Sequence, residues 1–310
     1  MTTSVFIDGA HGTTGLEIRE RLAGRSELAP FMLDDVRRKD AEARAEALND
    51  AEIVILCLPD DAAREAVALI RNDRTRVIDA STAHRVADDW TYGLPELNPG
   101  HADAVATARR VANPGCWPTG FLLLVRPLVR AGLLPVDWPL SYGGTSGYSG
   151  GGKAMIEEYE SGQELSAVRA YALGLSHKHL PEMIRHGGLS APPIFQPAVA
   201  RTYRGMLTEL PLPLHALPGA PTLDRVSETL AEAYADSPIV RVRTDGDVAL
   251  VRLEDDAATD RITLHVLGNG QSGQARLIAT CDNLGKGAAG AAVQNLNLMA
   301  GLPETAGLVL

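Results

Sequence analysis

The 310-residue sequence has few cysteines, few aromatic residues and no long apolar run. Its three cysteines, Cys57, Cys116 and Cys281, are widely spaced, which excludes a disulfide framework and a CxxC metal site and fits a reducing cytosol. No apolar stretch is long enough to span a bilayer, and the first residues lead directly into a predicted strand. We therefore expect a cytoplasmic protein without a signal peptide or a membrane partner.

Basic residues are fewer than acidic residues, 29 against 39, so the formal net charge is -10. This balance argues against a nucleic-acid partner, because no basic face is available for phosphate contacts. The chain is long enough to bury a large core and to form two domains. A hydrophobic content of 45% with only 5% aromatic residues is typical of an α/β protein whose sheet is covered by helices.

The N-terminal third alternates strands and helices. Predicted strands cover residues 4–8, 31–33, 52–58 and 76–79, and predicted helices cover 14–23, 39–48 and 60–71, the last capped by Asp60. This order predicts a Rossmann-type doubly wound parallel sheet. Ligands bind beyond the carboxyl ends of such strands, so we expect Leu58, Pro59 and Ser81 to line a cofactor site.

The first strand is followed by a glycine turn that opens a helix, which is the context of a dinucleotide-binding fingerprint. The spacing is GxxGxxG rather than GxGxxG, so a tight turn without a ligand is the alternative. Backbone N–H groups of such a turn attract a pyrophosphate. The candidate cofactor-binding residues are Gly9, His11, Gly12, Thr13, Thr14 and Gly15.

Charged residues after the second predicted strand bear on the type of cofactor. Asp34 and Asp35 stand where an acid would hold a ribose 2′-hydroxyl, but Arg37 and Arg38 follow at once and can hold a 2′-phosphate. A solvated charged loop is the alternative. We favour NADP as the cofactor.

Cys116 lies in the heptapeptide Asn113-Pro-Gly-Cys-Trp-Pro-Thr119, directly before an apolar stretch. Pro114 and Gly115 favour a tight bend, and Pro118 suits the first turn of a helix. A helix N-terminus favours the thiolate, which is the nucleophilic form of cysteine. We predict a catalytic nucleophile, with a buried structural cysteine as the alternative.

The second half of the chain changes character. A glycine- and serine-rich segment, residues 143–153, predicts a flexible loop, either a linker or an anion-binding active-site loop. Short alternating strands are predicted at 194–200, 206–210, 239–242, 248–253, 262–267 and 275–279. They indicate an α+β second domain with a mostly antiparallel sheet.

Two further segments carry candidate functional residues. His179 lies just before a helix whose first turn contains Pro181, and Glu182 lies inside that helix. We predict that His179 is an acid/base catalyst. The alternatives are a structural histidine and a metal-binding His177-x-His179 pair, although no other ligand cluster accompanies that pair. Near the C-terminus, Asn283 and Lys286 precede a helix over 288–299 and are candidates for cofactor binding, with a capping turn as the alternative.

Taken together, these motifs resemble the short form of the N-acetyl-γ-glutamyl-phosphate reductases. The resemblance rests on the glycine turn, Asn113-Pro-Gly-Cys116, Ser146-Gly147, His177-x-His179-x-Pro-Glu182 and Asp282-Asn-Leu-x-Lys-Gly287. Trp117 and Leu124, beside the cysteine, depart from the longer form of the family, as does the Ala83-His84-Arg85 segment.

The resemblance implies a fold, a reaction and residue roles. Residues 1–115 and 284–310 would form the NADP-binding domain, and residues 116–283 a catalytic and oligomerisation domain like the C-terminal domain of glyceraldehyde-3-phosphate dehydrogenase. An acyl phosphate would be reduced by NADPH through a thioacyl intermediate on Cys116, with His179 as acid/base, in a homodimer or homotetramer of the arginine pathway. Substrate contacts would come from His177, Glu182, Arg85, Ser146 and Gly147.

Two other functions stay open at this point. Another acyl-phosphate reductase, such as aspartate-semialdehyde dehydrogenase, would use the same cysteine chemistry on a different substrate. A non-catalytic regulator that senses a dinucleotide would need no reactive cysteine.

Overall fold

The computed structural model describes residues 2–244 and 248–310 of the chain. The strands are β1 (Thr3–Asp8), β2 (Leu28–Phe31), β3 (Ile53–Leu56), β4 (Arg76–Asp79), β5 (Thr91–Tyr92), β6 (Arg110–Ala112), β7 (Ser141–Gly147), β8 (Val168–Ala170), β9 (Ile194–Ala200), β10 (Met206–Pro213), β11 (Val240–Arg243), β12 (Ile262–Asn269) and β13 (Gln274–Cys281). The helices are α1 (Thr13–Leu22), α2 (Ala41–Asp50), α3 (Asp60–Leu69), α4 (His101–Thr107), α5 (Cys116–Arg130), α6 (Gly152–Glu160), α7 (Leu180–Gly187), α8 (Leu223–Ala233) and α9 (Gly290–Met299).

The chain divides into two compact units. The first comprises residues 1–95, 100–115 and 288–308, and the second comprises residues 96–99, 116–287 and 309–310. Residues 284–287, expected with the nucleotide-binding part, belong to the second unit. They are held there because the Gly287 N–H donates to the Asp282 carbonyl at 3.0 Å and the Lys286 ammonium pairs with Glu96.

The first unit contains the predicted doubly wound parallel sheet. Its six strands run in the order β2-β1-β3-β4-β6-β5, and all neighbours are parallel. The strand β3 is buried at every position, as continuous apolar strands of covered parallel sheets are. The chain reverses its winding direction between β1 and β3, and this switch point is where such sheets bind ligands.

The second strand lies earlier in the sequence than predicted. Residues 31–33 were expected, but β2 covers Leu28–Phe31 and pairs with β1. Pro30 disfavours a strand in a sequence-based reading, yet β2 is an edge strand with a single neighbour, where a missing N–H is tolerated. Met32 and Leu33 therefore lie beyond the carboxyl end of the strand.

The second unit contains a seven-stranded mixed sheet in the order β11-β12-β13-β10-β7-β9-β8. Four neighbouring pairs are antiparallel and two are parallel, so the sheet is mostly antiparallel as predicted. The helix α5 can approach this sheet closely because Gly120 has no side chain, since a Cβ there would lie 2.8 Å from Thr208 Oγ1 and 3.1 Å from the Tyr142 hydroxyl.

The prediction of a flexible loop over residues 143–153 is wrong. This segment forms the interior strand β7, a turn of 3-10 helix over Tyr148–Gly151 and the start of α6. Its glycines allow close strand approach: a Cβ on Gly143 would lie 2.7 Å from the Gln196 carbonyl, and one on Gly144 would lie 2.2 Å from the Leu207 carbonyl.

Two smaller predictions are also wrong. Residues 248–253 form no strand, and Leu250 is 68% exposed, so the alternating pattern there does not mark a buried face. Asp60 is the first residue of α3 rather than its cap, which is Pro59. The Asp60 carboxylate instead accepts hydrogen bonds from the Thr82 N–H and hydroxyl.

The amide side chains of the buried helix α9 make specific hydrogen bonds. Asn295 Nδ2 donates to the Gly93 carbonyl at 2.9 Å and to Asn113 Oδ1 at 3.0 Å, and Asn297 donates to the Glu304 and Ala306 carbonyls. These bonds satisfy the Nδ2 donors of both amides beside an apolar cluster. Over the residues that the structure describes, no helix has the length and hydropathy needed to cross a membrane.

Candidate active site

Cys116 is the first residue of α5 and is partly exposed. It lines a cavity of about 190 Å³ in the second unit. The cavity brings together five predicted site residues, Cys116, Ser146, Gly147, His177 and His179, with Trp117, Gly150, Gly151, Met155, Tyr171, Lys178 and Val199. A partly exposed cysteine at a helix N-terminus, with imidazoles in the same cavity, is the arrangement that nucleophilic catalysis requires.

Two histidines enter the cavity from the segment before α7. His179 occupies the cap position of this helix, with Pro181 in the first turn as predicted, and its side chain is buried. Its backbone N–H donates to His177 Nδ1 at 3.2 Å, so the neutral His177 ring carries its proton on Nε2. Burial and the Lys178 charge lower the pKa of His177, which keeps the ring neutral at physiological pH.

Aromatic packing fixes the cavity wall beside the cysteine. Trp117 is 2% exposed and contacts Phe195 edge-on, with ring centroids 5.2 Å apart. The Tyr142 hydroxyl donates to the Trp117 carbonyl at 2.8 Å. Trp117 therefore fills the space under the start of α5.

Gly287 lies directly against the cysteine. A Cβ at this position would lie 2.9 Å from Cys116 Cβ, 3.4 Å from Cys116 Cα and 3.0 Å from the Asp282 carbonyl. The Asp282 carboxylate, fully buried, accepts the N–H groups of Leu284 and Gly285 and so holds the turn that carries Gly287. No side chain fits at Gly287 unless the cysteine backbone shifts.

Three predicted site residues are buried in the second unit and engaged with protein groups. Glu182 lies inside α7 and does not line the cavity. Asn283 donates to Ser149 Oγ at 2.8 Å and accepts the Gly205 N–H at 3.0 Å. The Lys286 ammonium contacts both oxygens of Glu96 at 2.8 and 2.9 Å. These contacts give Asn283 and Lys286 a positioning role in this unit; their predicted contacts with a cofactor stay predictions.

The nucleotide crevice belongs to the first unit, at the switch point of the parallel sheet. Gly9 has φ +84°, and a Cβ there would lie 2.3 Å from the Cys57 carbonyl; a Cβ on Gly15 would lie 2.6 Å from the Gly9 carbonyl. Gly12 is the cap of α1 and contributes no side-chain hydrogen bond to its first turn. The turn with His11, Thr13 and Thr14 therefore leaves backbone N–H groups for a pyrophosphate, which fits a dinucleotide.

The carboxyl end of β4 lies next to that of β3 in the same sheet, and Leu58 and Pro59 follow β3. The fully buried Asp79 carboxylate accepts the Ser81 N–H and hydroxyl and contacts His84 Nδ1 at 2.6 Å. Arg85 follows in the same loop, is 8% exposed and donates to the Ala80 carbonyl. These bonds fix the backbone around the predicted residues Ser81 and Arg85.

Arg37 and Arg38 lie on an exposed turn of 3-10 helix after β2. The Arg37 guanidinium is 3.5 Å from Glu46, and Arg38 is 2.8 Å from Asp35. The Asp34 carboxylate accepts the Val36 and Arg37 N–H groups, which lowers its pKa and makes it a turn-forming residue. Both arginines remain exposed to solvent and are accessible to a 2′-phosphate.

Sequence reasoning missed several residues of these sites. Tyr171 and Lys178 line the cavity, and both stand within eight residues of His179, so proximity to that histidine was the available signal. Burial raises the pKa of Tyr171, and a Cys116 charge raises it further, so the phenol stays protonated.

Cys57 is not a candidate nucleophile, because burial and the charges of Asp79 and Asp8 raise the pKa of its thiol to about 12. Within the described ranges, no group of three potential ligands is placed to hold a metal ion.

Comparison with known proteins identifies the domain family of each unit. The model of the semialdehyde dehydrogenase NAD-binding domain matches residues 4–105, and the model of the semialdehyde dehydrogenase dimerisation domain matches residues 116–283. Solved structures with this fold include aspartate semialdehyde dehydrogenase II from Vibrio cholerae in complex with ASA (TM-score 0.69, 16% identity, 96% of this chain and 98% of that one). Another is the aspartate semialdehyde dehydrogenase with NADP from Candida albicans (TM-score 0.64, 16% identity, covering 96% and 98%). The fold and the site thus define a dehydrogenase of the semialdehyde class.

Sequence relatives identify the family within this class. An N-acetyl-γ-glutamyl-phosphate reductase from Chelativorans sp. is 50% identical over 96% of this chain and 98% of its own length. N-acetyl-γ-glutamyl-phosphate reductase 2 from Nostoc sp. is 46% identical over 98% of both chains. The chain belongs to the N-acetyl-γ-glutamyl-phosphate reductase family, as its motifs indicated.

The close packing of Gly287 against Cys116 gives a first prediction. Gly287→Ala should lower kcat by about 100-fold, because the added Cβ would displace Cys116 and a misplacement of about 1 Å in an active site can cost this much. It should also slow alkylation of Cys116 by iodoacetamide. Gly270→Ala is the matched control, since a Cβ there meets nothing within 4 Å. Wild-type kcat and alkylation rates in Gly287→Ala would show that this contact does not set the position of the sulfur.

Proposed function

We propose that this chain reduces N-acetyl-γ-glutamyl phosphate to N-acetylglutamate 5-semialdehyde and phosphate with NADPH, as a step of arginine biosynthesis. The observation that carries the proposal is the cavity in which Cys116, at a helix N-terminus, is joined by His177 and His179. Relatives of this name, similar over nearly the whole chain, favour this substrate over aspartyl phosphate. They also disfavour a non-catalytic regulator.

Cys116 carries the covalent chemistry in this proposal. Its thiolate attacks the acyl carbon, the bond from that carbon to the phosphate oxygen breaks, and a thioester on the sulfur remains. The nicotinamide cofactor, when bound, supplies the hydride that reduces this thioester carbon. The carbon–sulfur bond of the resulting thiohemiacetal then breaks, which releases the aldehyde and restores the thiolate.

His179 is the proposed acid/base catalyst. It lines the same cavity as the sulfur, and its place at the start of α7 fixes its backbone. It would donate a hydrogen bond or proton to the oxyanion of the thiohemiacetal and take the proton back as the carbonyl re-forms. His177, held neutral with its proton on Nε2, would be a hydrogen-bond donor to the substrate.

The remaining predicted residues complete the proposal. Ser146 and Gly147 line the cavity and would contact the substrate directly. Arg85 would bind a substrate oxyanion from the loop after β4, and Glu182 would position the α7 segment from inside the helix. Arg37 and Arg38 would bind the 2′-phosphate of NADP.

The assembly we propose is a homodimer or homotetramer in the cytoplasm. The second unit matches a dimerisation domain, and its seven-stranded sheet is the proposed interface. Closed symmetric assemblies of identical subunits are the common outcome for such sheets.

The substrate assignment can be tested in the reverse direction. With phosphate and NADP⁺, the purified enzyme should produce NADPH from N-acetylglutamate 5-semialdehyde at a kcat/KM at least about 100-fold above that for aspartate semialdehyde, since the smaller aldehyde lacks the acetyl group and one methylene and can make fewer contacts in the transition state. Equal rates, or a preference for aspartate semialdehyde, would refute the assignment.

The nucleophile has its own test. Cys116→Ser should lose phosphate-dependent activity by at least about 1,000-fold, because a serine hydroxyl is not ionised at neutral pH, whereas NADP binding measured by calorimetry should persist. Cys281→Ala is the control, since this buried thiol has a pKa well above its usual value and takes no part in the chemistry. Comparable activity in Cys116→Ser and wild type would remove Cys116 as the nucleophile.

The cofactor preference is tested at the turn after β2. Arg37→Ala combined with Arg38→Ala should raise KM for NADPH by about 10-fold while leaving KM for NADH unchanged, because only NADPH carries the 2′-phosphate. Arg109→Ala is the matched control, an exposed arginine that pairs with Asp73. An unaltered NADPH-to-NADH ratio in the double variant contradicts the proposed role.

A further inference from the structure

Lys178 is the one permanently charged side chain that lines the catalytic cavity, within the described part of the chain. No carboxylate lines the same cavity, although acidic residues outnumber basic ones in the sequence. The Lys178 side chain is exposed. The cavity therefore has an excess positive charge that the proposed chemistry has not used so far.

The backbone around Lys178 is fixed, which distinguishes this residue from an ordinary surface lysine. Its two neighbours in sequence both line the cavity, and the His179 N–H bonds to His177 Nδ1 across it. The helix α7 begins immediately afterwards, at Leu180. The Lys178 side chain thus starts from a fixed backbone between the two histidines, and its charge acts on the His177 ring, since it helps to lower the pKa of His177.

We propose that Lys178 binds an oxyanion of the substrate and so determines specificity for anionic acyl compounds. This inference rests on the proposed function, whose substrate carries a phosphoryl group and an α-carboxylate. An ammonium and a neutral imidazole N–H form a donor pair for either group. Because both donors are neutral or cationic at physiological pH, neither repels the substrate.

The reverse reaction separates the two anions, because phosphate and the semialdehyde are then independent ligands. Lys178→Met removes the charge and keeps the length of the side chain, and Lys178→Arg restores a cation. Lys153→Met is the matched control, since Lys153 in the neighbouring α6 is exposed and lies outside the cavity lining. KM and kcat are measured for phosphate, for N-acetylglutamate 5-semialdehyde and for an uncharged aldehyde such as pentanal.

Lys178→Met should raise KM for one of the two anionic ligands by about 10- to 100-fold, the effect of losing one charge-assisted hydrogen bond, with a smaller change in kcat. If only the KM for phosphate rises, Lys178 binds the phosphoryl group. If only the KM for the semialdehyde rises and kcat/KM for pentanal is unchanged, Lys178 binds the α-carboxylate. Lys178→Arg should recover most of the loss.

Two results would overturn the inference. In one, both KM values of Lys178→Met match those of the Lys153→Met control. In the other, pentanal turnover falls as much as that of the semialdehyde, which would indicate a structural defect instead of a lost anion contact. Wild-type activity on N-acetylglutamate 5-semialdehyde is measured in the same series, so failure of the proposed function is recognised separately.

Discussion

The contact between Gly287 and Cys116 is the constraint on which the catalytic cavity depends. The turn that carries Gly287 is held by the buried Asp282 carboxylate, and a Cβ at this glycine would come within 2.9 Å of the cysteine Cβ. Next to the cysteine in the chain, Trp117 packs edge-on against Phe195 in the first turn of α5. The backbone that carries the Cys116 side chain is thus held by packing, which is the kind of support that a precisely positioned reactive group needs.

The two units divide the chemical tasks. The first holds a glycine turn at the switch point of a parallel sheet, where backbone N–H groups and two exposed arginines suit an anionic dinucleotide. The second holds the cysteine and both histidines in one cavity, and no carboxylate is among the described residues that line it. Buried carboxylates act as structural acceptors in both units: Asp79 organises the loop after β4, and Asp282 organises the turn before α9.

Local patterns were sufficient for much of the fold. A continuous apolar run predicted β3, and Pro181 predicted the start of α7 with His179 just before it. The wrong strand and loop predictions have a common cause. The structure of these segments depends on a neighbouring strand or a packing face, which the local sequence does not show. The glycine-rich segment is an interior strand because its neighbours need close backbone approach, and Pro30 fits a strand because β2 lies at an edge.

The sequence by itself determined the fold class and the family, and it singled out Cys116, His177 and His179 as candidate site residues, because these depend on short motifs whose residues are adjacent in the chain. Only the tertiary structure decided which residues share the cavity: Tyr171 and Lys178 line it, whereas Glu182 does not, and Asn283 and Lys286 bond to Ser149 and Glu96. Such assignments depend on distances between residues far apart in sequence. The physical reason is that close packing, and not local preference, fixes where side chains from different elements meet.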